Sequence, residues 1–309
     1  MYYLIKHIRI DARDSMNIAL IAYKSELTNK MGSGMLRYIY ELYTGIKANK
    51  DIKVDVLEPR GNKVLSGIFG NALPWVLGNV FNKYGFDIIH DINFYRMPIL
   101  ASKKSVTIST AHDFIYLTRP DIVSKDVHSI KDKIWLNAII KFTLQTSFLS
   151  DFIIADTTAT MEDAIRLGYD KKRIFVVNLG IDKRFFVNSH IRTKTTNFKV
   201  GYVGSFGFKK NVRFAIDSFN QLKDKKIILD IYGKRGYEYP ILSKLAEKNK
   251  QIRFPGFVPE QNLVNVYDSL DAFVFPSLHE GFIYRFFPCE TASVFRCLFL
   301  TFFIVTVFF

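Results

Sequence analysis

Short apolar runs alternate with amphipathic stretches along this chain, and that alternation constrains the fold more than any other feature of its 309 residues. In the later part, residues 200–203, 227–232, 252–254 and 272–275 read as buried strands. Residues 212–222, 239–248 and 261–270 read as the helices between them. Such alternation predicts an α/β fold, a parallel sheet with helices on both faces. The earlier part repeats it, with strands at 17–22, 52–57, 86–89, 106–110, 152–155 and 174–177. One helix places Leu36, Ile39, Tyr40, Tyr43 and Ile46 on a single face. A long amphipathic helix spans 130–148 and contains Trp135, and a shorter one over 160–167 is stopped by Gly168. Residues 61–82 are rich in Gly and apolar side chains and give no single reading. The polar run 188–197 is a linker. It separates a first domain, 16–187, from a second, 198–282, and is short enough that the two should face each other across a cleft.

In an open α/β sheet, ligands collect at the C-terminal ends of the strands, and two strand ends carry chemistry. Residues 271–282 read DAFVFPSLHEGF. Pro276 cannot donate to a ladder and ends the strand. Glu280 follows in the loop, where a carboxylate can accept hydrogen bonds from vicinal hydroxyls of a ribose or a sugar. The alternative is an ordinary solvated loop charge. Residues 200–211 read VGYVGSFGFKKN, a strand, a glycine turn, then Lys209, Lys210 and Asn211 opening a helix. Glycines let backbone approach a ligand, and a helix N-terminus attracts phosphate. Lysines there oppose the helix dipole, which suggests that an anion offsets the cost. A basic first turn without a ligand is the plainer alternative.

These two segments together resemble the donor half of the retaining GT-B glycosyltransferases of family 4 type, which read roughly G-x-x-x-x-[RK]-K-[GN] and F-P-S-x-x-E-G-F. Residues 231–234, IYGK, and 253–259, RFPGFVP, also look like family segments, and the resemblance runs from about Met16 to Phe282. It implies two Rossmann-like domains. By this resemblance Lys209 and Lys210 hold the donor diphosphate. Ser205 stands where a common variant carries arginine, so the charge must come from Lys209. Gly233, Lys234 and the backbone near Phe257 and Val258 would serve the nucleotide, and Glu280 the donor sugar. The segment TAHDFIYLTRP is similar to the family's T-x-H-D, whose histidine, here His112, reaches toward that sugar. Gly32, Ser33 and Gly34 follow the first strand and open a helix, a context that suits close ligand approach. The resemblance puts that loop on the acceptor side. Residues 178–182, NLGID, resemble the segment that ends the first domain.

The implied activity is transfer of a hexose, mannose or glucose type, from a nucleotide-diphosphate sugar to a glycan or lipid-linked acceptor with retention. The competing class is a non-enzymatic product, an inactive relic or a membrane-associated partner of an intact transferase. No cofactor or metal is implied. The dipeptides His90-Asp91 and His112-Asp113 end two expected strands, but their spacing is a poor metal signal, and His90 reads best as structural. A formal charge of +14 raises nucleic acid as a partner. The lysines are spread, however, and zinc-finger spacing, an RNP signature and a basic helical block are missing from the sequence. Attraction to a phosphorylated donor or to an anionic membrane surface accounts for the sign as well, and a cytoplasmic enzyme at the inner membrane face is expected. The only cysteines, Cys289 and Cys297, exclude a disulfide scaffold.

Both ends depart from the pattern. Residues 1–15 lack the apolar core and cleavage site of a signal peptide, and Met16 is the expected natural start. After Phe282 the family continues G-x-P-x-x-E, but Pro288 stands at the place of the second glutamate and the next acid is Glu290. Residues 294–309 are almost wholly apolar, shorter than the roughly 20 residues of a membrane span and richer in strand formers than a helix should be. A frameshift is the favoured reading, which would make 283–309 an aberrant tail and leave the second domain incomplete.

Overall fold

The structure is a computed structural model that describes residues 15–28, 34–58, 85–92, 94, 105–127, 129–131, 133–134, 136–137, 150–180, 197–281 and 296–299. The chain divides into two compact units. The first takes residues 1–118 and 128–179, and the second takes 119–127 and 180–309.

In the first unit the elements run β1 (Met16–Ile21), α1 (Lys24–Thr28), α2 (Gly34–Lys47), β2 (Ile52–Leu57), β3 (Ile88–Asp91), β4 (Val106–Ala111), α3 (Ile115–Thr118), β5 (Phe152–Ala155), α4 (Thr158–Arg166) and β6 (Ile174–Val176). The strands form one parallel sheet in the order β2-β1-β3-β4-β5-β6. Ile18, Leu20, Ile39, Ile88 and Ile92 pack one core against α2, while Ala19, Ile21 and Ile89 pack another small cluster. Parallel strands buried on both faces read as continuous apolar runs, which is why the sequence shows them so clearly. The Thr157 hydroxyl accepts from the Thr160 N–H to cap α4, and Gly168, at φ +96°, ends that segment.

The second unit contains β7 (Phe198–Val203), α5 (Val212–Gln221), β8 (Ile227–Tyr232), α6 (Tyr239–Ala246), β9 (Ile252–Gly256), α7 (Leu263–Asp268), β10 (Ala272–Phe275) and β11 (Arg296–Phe299). They pair in parallel in the order β11-β10-β7-β8-β9. Strand order proceeds from β7 to β8 and β9 on one side, then returns to place β10 on the other side of β7. The C-terminal ends of β7 and β10 therefore flank the switch point where such sheets bind ligands. One core runs through this unit, with Tyr202, Tyr267, Phe273 and Ile231 at its buried centre.

Both sheets share a device that the sequence reading did not single out. An aspartate immediately before a strand accepts a hydrogen bond from a backbone N–H at the start of the neighbouring strand. Asp87 takes Asn17 at 2.8 Å, Asp151 takes Thr107 at 2.8 Å, and Asp271 takes Lys199 at 2.6 Å. Each bond pins the register at the sheet's N-terminal edge.

Three expectations need correction. The third strand is shifted, so His90 and Asp91 lie inside β3 and are fully buried rather than following it. Lys209 and Lys210 do not open a helix. They sit in a separate 3-10 turn, Phe208–Lys210, and Asn211 at φ 51° divides that turn from α5. The helix expected over 261–270 is a 3-10 turn, Glu260–Asn262, followed by the short α7. Within the segment read as tail, residues 296–299 extend the second sheet as β11 beside β10. Trp135, Gly32 and Ser33 lie outside the described residues, as does 282–295.

Candidate functional site

In the second unit, the loops after β7 and β10 meet. The Leu278 N–H donates to the Lys209 carbonyl at 2.8 Å. Lys210 Nζ donates to Glu280 Oε1 at 2.5 Å, with the lysine side chain 22% exposed and the glutamate 8%. The ammonium also lies 5.5 Å from the centre of the Phe275 ring. A charge pair this enclosed is strengthened by the low local dielectric and costs desolvation to form. It places a carboxylate and an ammonium side by side at the switch point.

Glycine is required twice in the walls of this site. A Cβ on Gly233 would lie 2.1 Å from the Gly204 carbonyl oxygen and 2.7 Å from the Phe206 ring. A Cβ on Gly204 would lie 2.4 Å from the Tyr202 hydroxyl, which itself donates to the Ser205 carbonyl at 2.6 Å. The residues that follow the parallel strands β7 and β8 thus approach at backbone contact. The left-handed Asn211 is tolerated because a short polar side chain suits that region. Asp126, from the 119–127 segment of this unit, accepts from the Phe208 N–H at 2.7 Å and braces the glycine loop. Lys234 is exposed, as is Phe257 at 62%, while Val258 is half-buried. An aromatic ring left this open is available for stacking.

In the first unit a second polar cluster forms where β3, β4 and β5 end. His112 Nδ1 lies 2.6 Å from Asp156 Oδ2, and its Nε2 lies 3.2 Å from the Ile92 carbonyl oxygen. The Tyr38 ring meets the imidazole edge-on at 4.9 Å. Behind it, Thr110 Oγ1 links the Tyr38 hydroxyl at 3.0 Å to His90 Nε2 at 2.8 Å. The two histidines are driven apart in protonation. Burial, seconded by the charge of His112, pushes His90 down to about 3, so it is neutral. For His112, burial is the largest single influence and pulls downward. The hydrogen bond and charge of Asp156, the Ile92 carbonyl and the charge of Asp113 together outweigh it, and the net direction is up.

Among the residues expected to form a site, Lys209, Lys210 and Glu280 are brought together. Ser205 and Gly233 line the same strand ends, while Gly34 begins α2 and is exposed. Asp126, Tyr38, Thr110 and Asp156 were not anticipated. For Asp156 a signal existed, since it ends the apolar run FIIA and so falls at the same sheet edge as His112 once β5 is known to pair with β4. Among the described residues, no group of three or more acidic, histidine or cysteine side chains could hold a metal ion.

The second unit therefore has a parallel sheet with a glycine turn and charged side chains at its strand ends, and the α/β fold is of the GT-B class. Residues 185–282 match the family described as glycosyl transferases group 1. O-antigen chain mannosyltransferase B of Escherichia coli is 26% identical over 210 residues, covering 63% of this chain and 52% of that protein. The chain thus spans about half the length of that curated relative. Among solved structures, WaaG, a glycosyltransferase involved in lipopolysaccharide biosynthesis, superposes with a TM-score of 0.68 at 14% identity, over 92% of this chain and 81% of its own. HepE of Anabaena, in complex with UDP and glucose, does so with a TM-score of 0.56 at 14% identity, over 90% and 78%.

Proposed function

We propose that this protein transfers a hexose of mannose or glucose type from a nucleotide-diphosphate sugar to a glycan or lipid-linked acceptor, with retention. The observation that carries the reading is the Lys210–Glu280 pair at the ends of β7 and β10. It supplies one cation for a diphosphate and one acceptor for sugar hydroxyls within a few ångströms of each other. In this reading the bond from the anomeric carbon to the diphosphate oxygen breaks as the acceptor hydroxyl attacks. Negative charge grows on the leaving diphosphate, and Lys209, Lys210 and the start of α5 stabilise it there. Glu280 takes hydrogen bonds from the donor sugar, and the family resemblance assigns His112 to the same sugar. Gly233, Lys234, Phe257 and Val258 serve the nucleotide, with Ser205 beside the diphosphate. Gly32, Ser33 and Gly34 belong to the acceptor side. The mannosyltransferase relative and the UDP and glucose bound to HepE favour a hexose donor.

The working division is a first domain over 16–187 and a second over 198–282. Among the described residues no helix is long and apolar enough to cross a membrane. The reading places the enzyme in the cytoplasm, held at the inner membrane face by its excess of +14. The test is calorimetry with UDP and GDP, followed by turnover with a panel of nucleotide sugars. Binding of one diphosphate that Lys210→Ala weakens, with turnover that Glu280→Gln lowers, supports the assignment. Absence of binding by either diphosphate would favour the non-enzymatic alternative.

A further inference from the structure

The Asp156–His112 pair carries an inference that rests on the transferase reading and deepens it. Asp156 is enclosed, with its side chain 1% exposed. One of its carboxylate oxygens, Oδ1, has no hydrogen-bond partner among the described residues, and the other faces His112 Nδ1. A buried carboxylate left without a counter-charge is costly, so the imidazole is what balances it. The ring's other nitrogen faces a second acceptor, the Ile92 carbonyl. A neutral imidazole has one N–H and can satisfy one of these two acceptors, leaving a lone pair against the other. Only the imidazolium donates to both.

We infer that Asp156 is a positioning residue, which holds His112 as a doubly protonated donor whose Nε2–H is parked on the Ile92 carbonyl until a sugar hydroxyl of the donor takes its place. The exchange needs no change of protonation. The Nε2–H leaves a carbonyl oxygen 3.2 Å away for a hydroxyl oxygen, while Nδ1–H stays on Asp156. Three neighbouring groups fit this role. From α2 comes the Tyr38 edge, and burial keeps that phenol protonated. From β3 comes His90, which is neutral and adds no competing charge. Asp113 on the same loop adds a second negative influence on the ring.

The experiment uses the full chain with nitrogen-labelled histidine and follows imidazole titration by NMR in the parent protein, Asp156→Asn and Asp156→Glu. Asp156→Asn retains an acceptor but loses the charge, so the His112 midpoint should move to lower pH while His90 remains unprotonated. Asp156→Glu should restore much of the shift. In turnover, Asp156→Asn should lose about tenfold or more in kcat/KM for the donor, the size of a lost charge-assisted contact. Its alkaline limb should move to lower pH, and UDP affinity should hold. A folded Asp156→Asn protein whose His112 midpoint is unmoved would overturn the inference. Should Asp156→Asn fail to fold, Asp156→Glu decides: a midpoint equal to that of the parent supports the inference, and a midpoint near the ordinary histidine value rejects it. If the parent protein transfers no sugar, the transferase reading fails, and the titration alone still decides how Asp156 acts on His112.

Discussion

Lys210 and Glu280 are each other's counter-charge, so removing either one has two consequences. Lys210→Ala should weaken UDP binding by about 1.5–3 kcal/mol through loss of a charge-assisted contact. It should also lower the stability of the second unit by about 1–3 kcal/mol, because the Glu280 carboxylate, 8% exposed, is left without its partner. Calorimetry and denaturant unfolding separate the two effects, and unchanged UDP affinity would remove Lys210 from the diphosphate site. The histidines give opposite pH signatures. His90 has a depressed value, so its contribution is complete above the ordinary value of 6.5 and is lost as pH falls from there toward about 3. His90→Asn should therefore flatten the acid side of the stability profile. His112 has a raised value, so its contribution is complete below 6.5 and is lost as pH rises through the raised value. Denaturation midpoints measured at pH 4.5, 6.5 and 8.5 test both signs.

At the level of elements, the close approach of the chain at the C-terminal ends of β7 and β8 is the least forgiving point near the site. The Gly233 backbone packs against the Gly204 carbonyl, and a methyl group there can be accommodated only by separating the strand ends. Gly233→Ala should cost about 1–3 kcal/mol and weaken UDP binding, since the glycine loop moves with the strand. Gly236→Ala is the control, because its Cβ would meet nothing within 4 Å. Equal stability of the two variants by urea unfolding would contradict the close approach. Pattern made these elements visible: apolar runs of four to six residues ended by Pro276 or Gly204 read as strands whatever lies beside them. Pattern failed at the 3-10 turn, because the choice between a helix starting at Lys209 and a turn closed by a left-handed Asn211 depends on what the loop must reach. Here it reaches the Leu278 N–H and the Asp126 carboxylate.

For the whole molecule, the buried clusters each lie within a single unit. Unfolding should accordingly show two transitions rather than one. Circular dichroism reports both units. UDP at a hundredfold excess over its Kd stabilises the unit that binds it by about 2.7 kcal/mol. One of the two circular-dichroism transitions should move upward with UDP, and the other should stay. A single coincident transition at every UDP concentration would show that the cores do not unfold separately.

The sequence by itself determined the class of fold, because burial on both faces of a parallel strand and the spacing of helices are local properties written in consecutive residues. It also determined which residue types wait at the strand ends: two lysines and an asparagine after β7, a glutamate after β10, a histidine after β4. Partnership was decided by tertiary structure. Lys210 and Glu280 are 70 positions apart and meet because β10 returns to the far side of β7 instead of following β9. His112 and Asp156 are 44 apart and meet because β5 pairs with β4. Strand order is set by which crossover buries the most surface over the entire sheet, a sum over distant contacts that no local stretch of residues contains.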